Sequence, residues 1–415
     1  MAEAVAGAIV AEQIVSTGIE AGAVAAVARP TLPLKATLSP IPEPCQETKE
    51  GLARSHHTVT VIGNNAYIFG GKTADGKTCT TDIYKIPISS DKEEDVEYAC
   101  IPATSQNPIG TGSVPLPGAR YGHASCTRNN SIVVHGGRDD EGPVDEDSCI
   151  WLWDSKTQKW NAARPGNMDE AKPATRRGHQ IFVDEKRDIL ILHGGQTSRE
   201  DRPSETWLFD FKNASWRKLP PSPATSSGAV LAGTNLYSLS GTTDMSGSVH
   251  SLKLDDSSLN SGDLVWATVE FPSGPLTPGP QPREGSSLVP INTGYGRYYL
   301  IRLLGSRSDE KKSSSNESPT STDMWAMQLP SEGISASKVK DMIRDKLPKA
   351  ESGSYNWAEV ELVEESKEES QPTPKLGPRS YFGAHTSSDG RTVVLSGGVD
   401  ELGHLESNAW VLKIK

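Results

Sequence analysis

Arginine recurs at one place in this chain. Arg54, Arg120, Arg176 with Arg177 beside it, Arg283 and Arg379 each stand just before a stretch of β-forming residues. A guanidinium fork grips a carboxylate or phosphate with two parallel bonds, so several of them brought together would hold an acidic group. The competing reading is that each arginine braces its surroundings through a loop carbonyl or acid. His57, His123 and His179 follow three residues after an arginine, and His135 and His193 precede glycine pairs. A repeated position points to a repeated structural role, here a buried histidine bonded to the backbone, rather than to a metal cluster. No G-x-S-x-G, phosphate loop or H-E-x-x-H occurs, so catalytic residues are not identified and no cofactor is expected.

The elements that must position these residues are written as repeats. Arg120-Tyr121-Gly122-His123 is followed by Gly136-Gly137, then Trp151 and Trp160. Arg176-Arg177-Gly178-His179 is followed by Gly194-Gly195, then Trp207 and Trp216. The tryptophan spacing is the same in both, which marks one unit of four short strands written twice. A first unit starts at Arg54 with Gly70-Gly71. A worn fourth has Ser227-Gly228-Ala229, Ser240-Gly241 and Trp266. The fifth has Arg283, Gly305-Ser306, Trp325 and Trp357, and the sixth has Arg379, Gly397-Gly398 and Trp410. A polar or small residue stands two places before the third-strand aromatic: Asp82/Tyr84, Cys149/Trp151, Glu205/Trp207, Asp323/Trp325 and Asn408/Trp410. Amphipathic antiparallel strands without helical crossovers must form a sandwich or close into a ring. Closure lets each sheet bury both faces and leaves only short edges.

These spacings resemble the kelch repeat, over about residues 31–415. The resemblance implies an all-β fold, a six-bladed kelch-type β-propeller with four antiparallel strands per blade around a central channel. Gly70, Gly71, Gly136, Gly137, Gly194, Gly195, Gly397 and Gly398 are then structural, allowing close backbone approach. Trp151, Trp160, Trp207, Trp216, Trp325 and Trp410 fill the wedges between blades. Too few residues follow Trp410 for a fourth strand in unit six, so the strand-like stretch 31–41 is expected to supply it and close the ring. By the same resemblance, the loop before the first strand and the loop between strands two and three open on one face. Arg54, Arg120, Arg176 or Arg177, Arg283 and Arg379 would then ring one opening of the channel. Plant specifier proteins of the kelch type carry a Glu-x-x-x-Asp-x-x-x-His iron site in such a loop. Asp400 and His404 match its last two positions, but Ser396 stands at the first. Two ligands are too few for a site, and no metal is assigned to them.

Around this propeller, residues 1–30 form an Ala-rich tail or helix whose acidic breaks and late first positive residue, Arg29, do not suit a signal peptide. Residues 42–51 read as a polar linker. Blade five carries insertions at 306–321 and 331–369. In the second, Ser335–Leu347 has Val339, Met342, Ile343 and Leu347 at helical spacing, and an acidic run follows from Glu359. The net charge of -11, with no basic stripe, argues against nucleic acid as a partner. The five cysteines include no CxxC pair, which favours a reduced, intracellular and cytoplasmic protein. No stretch is long and apolar enough for a membrane span.

The function that follows is a rigid protein-binding platform recognising an acidic peptide or partner at the arginine-ringed mouth. With no BTB or F-box segment in the sequence, the propeller is expected to act alone or through its tail and blade-five insertion. The alternative is a small-molecule enzyme of cyclase, isomerase or lyase type, working in the channel mouth by charge stabilisation and leaving no motif. A closed pocket with a perturbed titratable group would favour the enzyme, and a broad face with aromatics the platform.

Overall fold

The computed structural model describes residues 31–88, 98–105, 116–166, 171–240, 247–271, 279–280, 283–294, 296–306, 320–331, 335–344, 354–363 and 375–415. The expected tail at 1–30, residues 307–319 of the first blade-five insertion and 332–334, 345–353 and 364–369 of the second lie outside these residues. The chain forms a six-bladed β-propeller of antiparallel sheets. Blade one comprises Thr58–Ile62, Asn65–Phe69, Ile83–Pro87 and Ala99–Ile101. Blade two comprises Ala124–Arg128, Ser131–His135, Ile150–Asp154 and Lys159–Ala163. Blade three is Gln180–Asp184, Ile189–His193, Thr206–Asp210 and Ser215–Leu219. Blade four is Gly228–Ala232, Asn235–Ser240, Gly247–Lys253 and Trp266–Phe271. Blade five is Ser287–Gly294, Arg297–Ser306, Thr320–Gln328 and Trp357–Glu359. Blade six takes Gly383–Thr386, Thr392–Ser396 and Ala409–Ile414 from the end of the chain.

Its fourth strand comes from the other end. Lys35–Pro40 pairs antiparallel with Ala409–Ile414, Ala36 facing Ile414 and Pro40 facing Trp410. The alternation of that strand explains why it seats: Leu34 and Ala36 are buried, and Leu32 and Leu38 pack against the same cluster as Trp410 and Leu412. Glu361–Leu362 adds a short parallel strand outside it, so the start of the expected acidic loop is paired backbone.

Cores lie between blades. Trp151, Trp153 and Trp160 of blade two pack with Tyr67, Phe69 and Ile83 of blade one, and Trp207, Phe209 and Trp216 of blade three with Val133 and Ile150 of blade two. The first strands of successive blades lie side by side and make the innermost circle.

The paired glycines have separate duties. A Cβ on Gly136 would lie 2.6 Å from the Arg176 carbonyl oxygen and 2.8 Å from the His179 ring, so the first glycine admits the next blade. A Cβ on Gly137 would lie 2.9 Å from the Cβ of His123, so the second admits its own first strand. The N–H of the second glycine donates to the next blade's arginine carbonyl: Gly71 to Arg120, Gly137 to Arg176 and Gly398 to Arg54, each at 2.9 Å.

Blade five corrects the register read from its sequence. There Gly305 N–H donates to the Arg379 carbonyl at 3.0 Å, so Leu304-Gly305 occupies the glycine-pair position rather than Gly305-Ser306. Leu304 takes a positive φ, 44°, where first glycines elsewhere have 63–66°. Residues 42–51 are a second correction. They hold a helix, Gln46–Leu52, anchored by buried Leu52. The blade-five helix spans Ala336–Arg344, with Ile343 buried and Asp341 joined to Arg297 at 2.6 Å. All five cysteines are free thiols. No described helix is long and apolar enough to cross a membrane.

Candidate functional site at the channel mouth

Five of the six arginines are turned into the blades. Arg54, Arg120, Arg176 and Arg379 are at most 3% exposed, and the Arg283 side chain is 2% exposed. Each sends Nη1 to the carbonyl at the first glycine-pair position: Gly70 (3.0 Å), Gly136 (3.1 Å), Gly194 (3.0 Å), Leu304 (3.3 Å) and Gly397 (3.2 Å). The polar residue two places before the third-strand aromatic closes the arrangement in three blades. Arg176 binds Glu205, Arg283 binds Asp323, and Arg379 binds Asn408, while Trp207, Trp325 and Trp410 donate their indole N–H to the same side chains. In blade two Cys149 stands there, and Glu146 takes over, accepting from Arg120 and from Trp151. Arg54 instead lies 4.6 Å over the Tyr84 ring. These guanidiniums brace blades and do not face the opening. Arg177 differs: its side chain is 35% exposed and its one salt bridge, to Glu200, is 3.5 Å long.

The repeat histidines are buried and engaged within and between blades. His57 Nε2 meets the Ser396 carbonyl at 3.1 Å, His123 meets the Thr58 hydroxyl at 2.8 Å, and His179 meets His135 Nδ1 at 2.9 Å. His193 sits between the Thr206 and Ser238 hydroxyls. Asp400 and His404 do come together, 3.4 Å apart, but Ser396 is buried in its strand. Among the described residues no group of three or more His, Cys, Asp or Glu is placed to hold a metal ion.

The third residue of each four-residue stretch beginning at Arg54, Arg120, Arg176, Arg283 and Arg379 shares one backbone conformation. His56, Gly122, Gly178, Gly285 and Tyr381 all have positive φ, between 54° and 64°. They are linked in a chain of backbone bonds: Tyr381 N–H to Gly285 O (2.8 Å), His56 to Tyr381 (2.9 Å), Gly122 to His56 (2.9 Å) and Gly178 to Gly122 (2.8 Å). Glycine is the ordinary occupant of that conformation. The two exceptions put rings beside the opening, with His56 stacked on Tyr381 at 4.2 Å and 6.1 Å from Tyr121.

Cations converge on these rings. Lys72 Nζ lies 4.4 Å over the Tyr121 ring, and Arg138 lies 5.8 Å from it. Both follow glycine pairs and reach this face through bridges to Ser55 and Tyr121. Burial, with Lys72 and Arg177 nearby, lowers the His56 pKa to about 4, so its ring is neutral at pH 7. Nε of Arg138 is buried without a partner. Tyr381 donates its hydroxyl to Glu284 at 3.3 Å, the acidic margin of the patch. Reading the sequence singled out the arginines and missed His56, Tyr121, Tyr381, Lys72 and Arg138. The available signal was the third position, where His and Tyr replace glycine.

Radial blades, braced arginines and a glycine-lined inner circle define a kelch propeller. Residues 122–338 match the model of the KLHDC2/KLHL20/DRC7 Kelch-repeats domain, and the chain belongs to the kelch-repeat family. Kelch domain-containing protein 3 of Homo sapiens is 26% identical over 209 residues, 48% of this chain and 52% of that protein. The F-box/kelch-repeat protein At1g51550 of Arabidopsis thaliana is 21% identical over 188 residues, 43% of this chain and 36% of that protein. The chain thus matches only about half the length of the first of these relatives. The solved structure of YjhT superposes with a TM-score of 0.54 at 13% identity, covering 88% of this chain and 97% of that one, a likeness of fold.

Proposed function

We propose that this kelch propeller is a protein-binding platform that recognises an acidic segment of a partner at the mouth bearing His56, Tyr121 and Tyr381. The observation that carries the reading is the convergence of Lys72, Arg138 and Arg177 on that aromatic group. Neither Lys72 nor Arg138 forms a salt bridge with a described residue, whereas the five buried arginines are internally engaged. Half-buried cations above aromatic faces are poorly hydrated, and an incoming carboxylate restores charge partners without ordering new side chains. The partly exposed His56 and Tyr381 rings add flat contact area at low entropic cost. Among the originally expected arginines, Arg177 is the one assigned to binding.

The test is fluorescence anisotropy of a labelled Asp/Glu-rich decapeptide titrated with the wild-type protein and with Lys72→Glu/Arg138→Glu/Arg177→Glu. Reversing three rim charges is expected to weaken binding by about tenfold or more, mostly through the association rate, and added salt is expected to weaken the wild type alone. Unchanged affinity in a folded triple variant contradicts the reading.

A further inference from the structure

The position two residues before the first glycine of a pair is apolar in four blades: Ile68, Val134, Leu192 and Leu395, all fully buried. In blade five it is Arg302, since Leu304 takes the first-glycine place. Leu300 packs against Tyr237, Leu239 and Val249 of blade four, and Arg302, two residues along the same strand, shares that face. It is 7% exposed, yet its one hydrogen bond is a 3.4 Å contact from Nε to the Ser286 hydroxyl. No described carboxylate pairs with it. Burial and then Arg283 push its pKa down to about 10, consistent with a cation lacking a counter-charge.

Among the described residues the same seam lacks the ring found in other blades. Ser286 stands where His57, His123, His179 and Phe382 place rings in other blades. Blade four has no arginine-histidine stretch to complete the backbone chain between Gly178 and Gly285. A second guanidinium, Arg283, lies close by but is paired with Asp323. A buried charge without a partner is costly, and an anion entering from solvent relieves that cost.

We propose that Arg302, with the Ser286 hydroxyl, anchors a binding site for a small oxyanion, carboxylate or phosphate, in the seam between blades four and five. The site lies below the mouth and does not depend on the acidic-segment reading. A guanidinium fork offers such an anion two parallel donors.

Thermal unfolding in sodium phosphate and in sodium acetate, each against sodium chloride at equal ionic strength, tests it. Wild type is expected to gain a saturable rise in Tm with at least one of the two anions. Phosphate alone would identify a tetrahedral ligand and acetate alone a carboxylate. Arg302→Leu, which restores the apolar residue type of those four blades, is expected to melt higher than wild type in chloride and to lose the anion response. Arg302→Met gives the same comparison should leucine pack badly. No wild-type response beyond chloride, or a response retained in either folded variant, overturns the proposal.

Discussion

Replacing Arg176 by alanine is expected to cost about 3–5 kcal/mol of stability, and replacing its neighbour Arg177 less than about 1 kcal/mol. The two are adjacent and chemically identical, so the difference isolates placement. Arg176 donates to the Ala174 carbonyl (2.9 Å), the Gly194 carbonyl (3.0 Å) and Glu205 (2.9 Å), at 1% exposure. Glu205 also accepts from Lys218 and Trp207, and despite the opposing effect of its own burial these bonds hold its pKa near 2. Removing the guanidinium strands two carbonyls in a poorly solvated corner and leaves Glu205 only its Lys218 and Trp207 partners. The Arg176 carbonyl also receives the Gly137 N–H, so the loss reaches the junction with blade two. Arg176→Lys is not expected to rescue, because an ammonium cannot span three acceptors set for a planar fork. Urea unfolding of the three variants measures this. Equal losses for Arg176→Ala and Arg177→Ala would contradict the bracing role.

Acid is expected to destabilise the propeller well above the usual carboxylate range. Burial first, and neighbouring arginines second, lower His57 and His135 to about 3 and His193 to about 4; burial alone lowers His385 to about 4. His123 and His179 are held well below the ordinary histidine value. Geometry gives the reason. In the His135–His179 contact one ring must donate and the other accept, and His385 accepts the Val61 N–H. In the unfolded chain these rings titrate near 6.5. A lowered native pKa means stability is fully present above about pH 6.5. It is lost as pH falls toward 4, because only the unfolded state takes up protons. Each such histidine contributes about 1.4 kcal/mol per pH unit in that window. Depressed carboxylates such as Glu205 act only at lower pH, so the two effects separate. Denaturant midpoints at pH 7, 6 and 5 are expected to fall steeply and together. A flat profile from pH 7 to 5 would show that the histidines are not held neutral.

The ring was legible because glycine pairs and tryptophans at fixed spacing state where backbones approach and where wedges are filled. Blade five slipped by one because Leu304 adopts a glycine conformation, which residue type alone does not announce. The burial of five of the six arginines was illegible for a different reason. The resemblance implied that Arg120 or Arg176 stands in a loop near the opening but did not say which way the side chain turns. The carbonyls and acids that capture it come from strands two and three, distant in sequence. Yet the Glu205/Trp207 and Asp323/Trp325 pattern, noticed without a cause, was the other half of that contact. His56 and Tyr381 went unremarked because the positions around them read as turns, where glycine is ordinary. The helix Gln46–Leu52 was hidden by its polar face, with Leu52 its only buried residue.

Panning a random peptide library against the immobilised wild-type protein at low salt tests the central claim most directly. Recognition at the mouth predicts enrichment of Asp- and Glu-rich sequences whose binding is lost on Lys72→Glu/Arg138→Glu/Arg177→Glu. Enriched sequences without acidic bias, or acidic ones that bind the folded triple variant equally well, would place recognition elsewhere on the propeller.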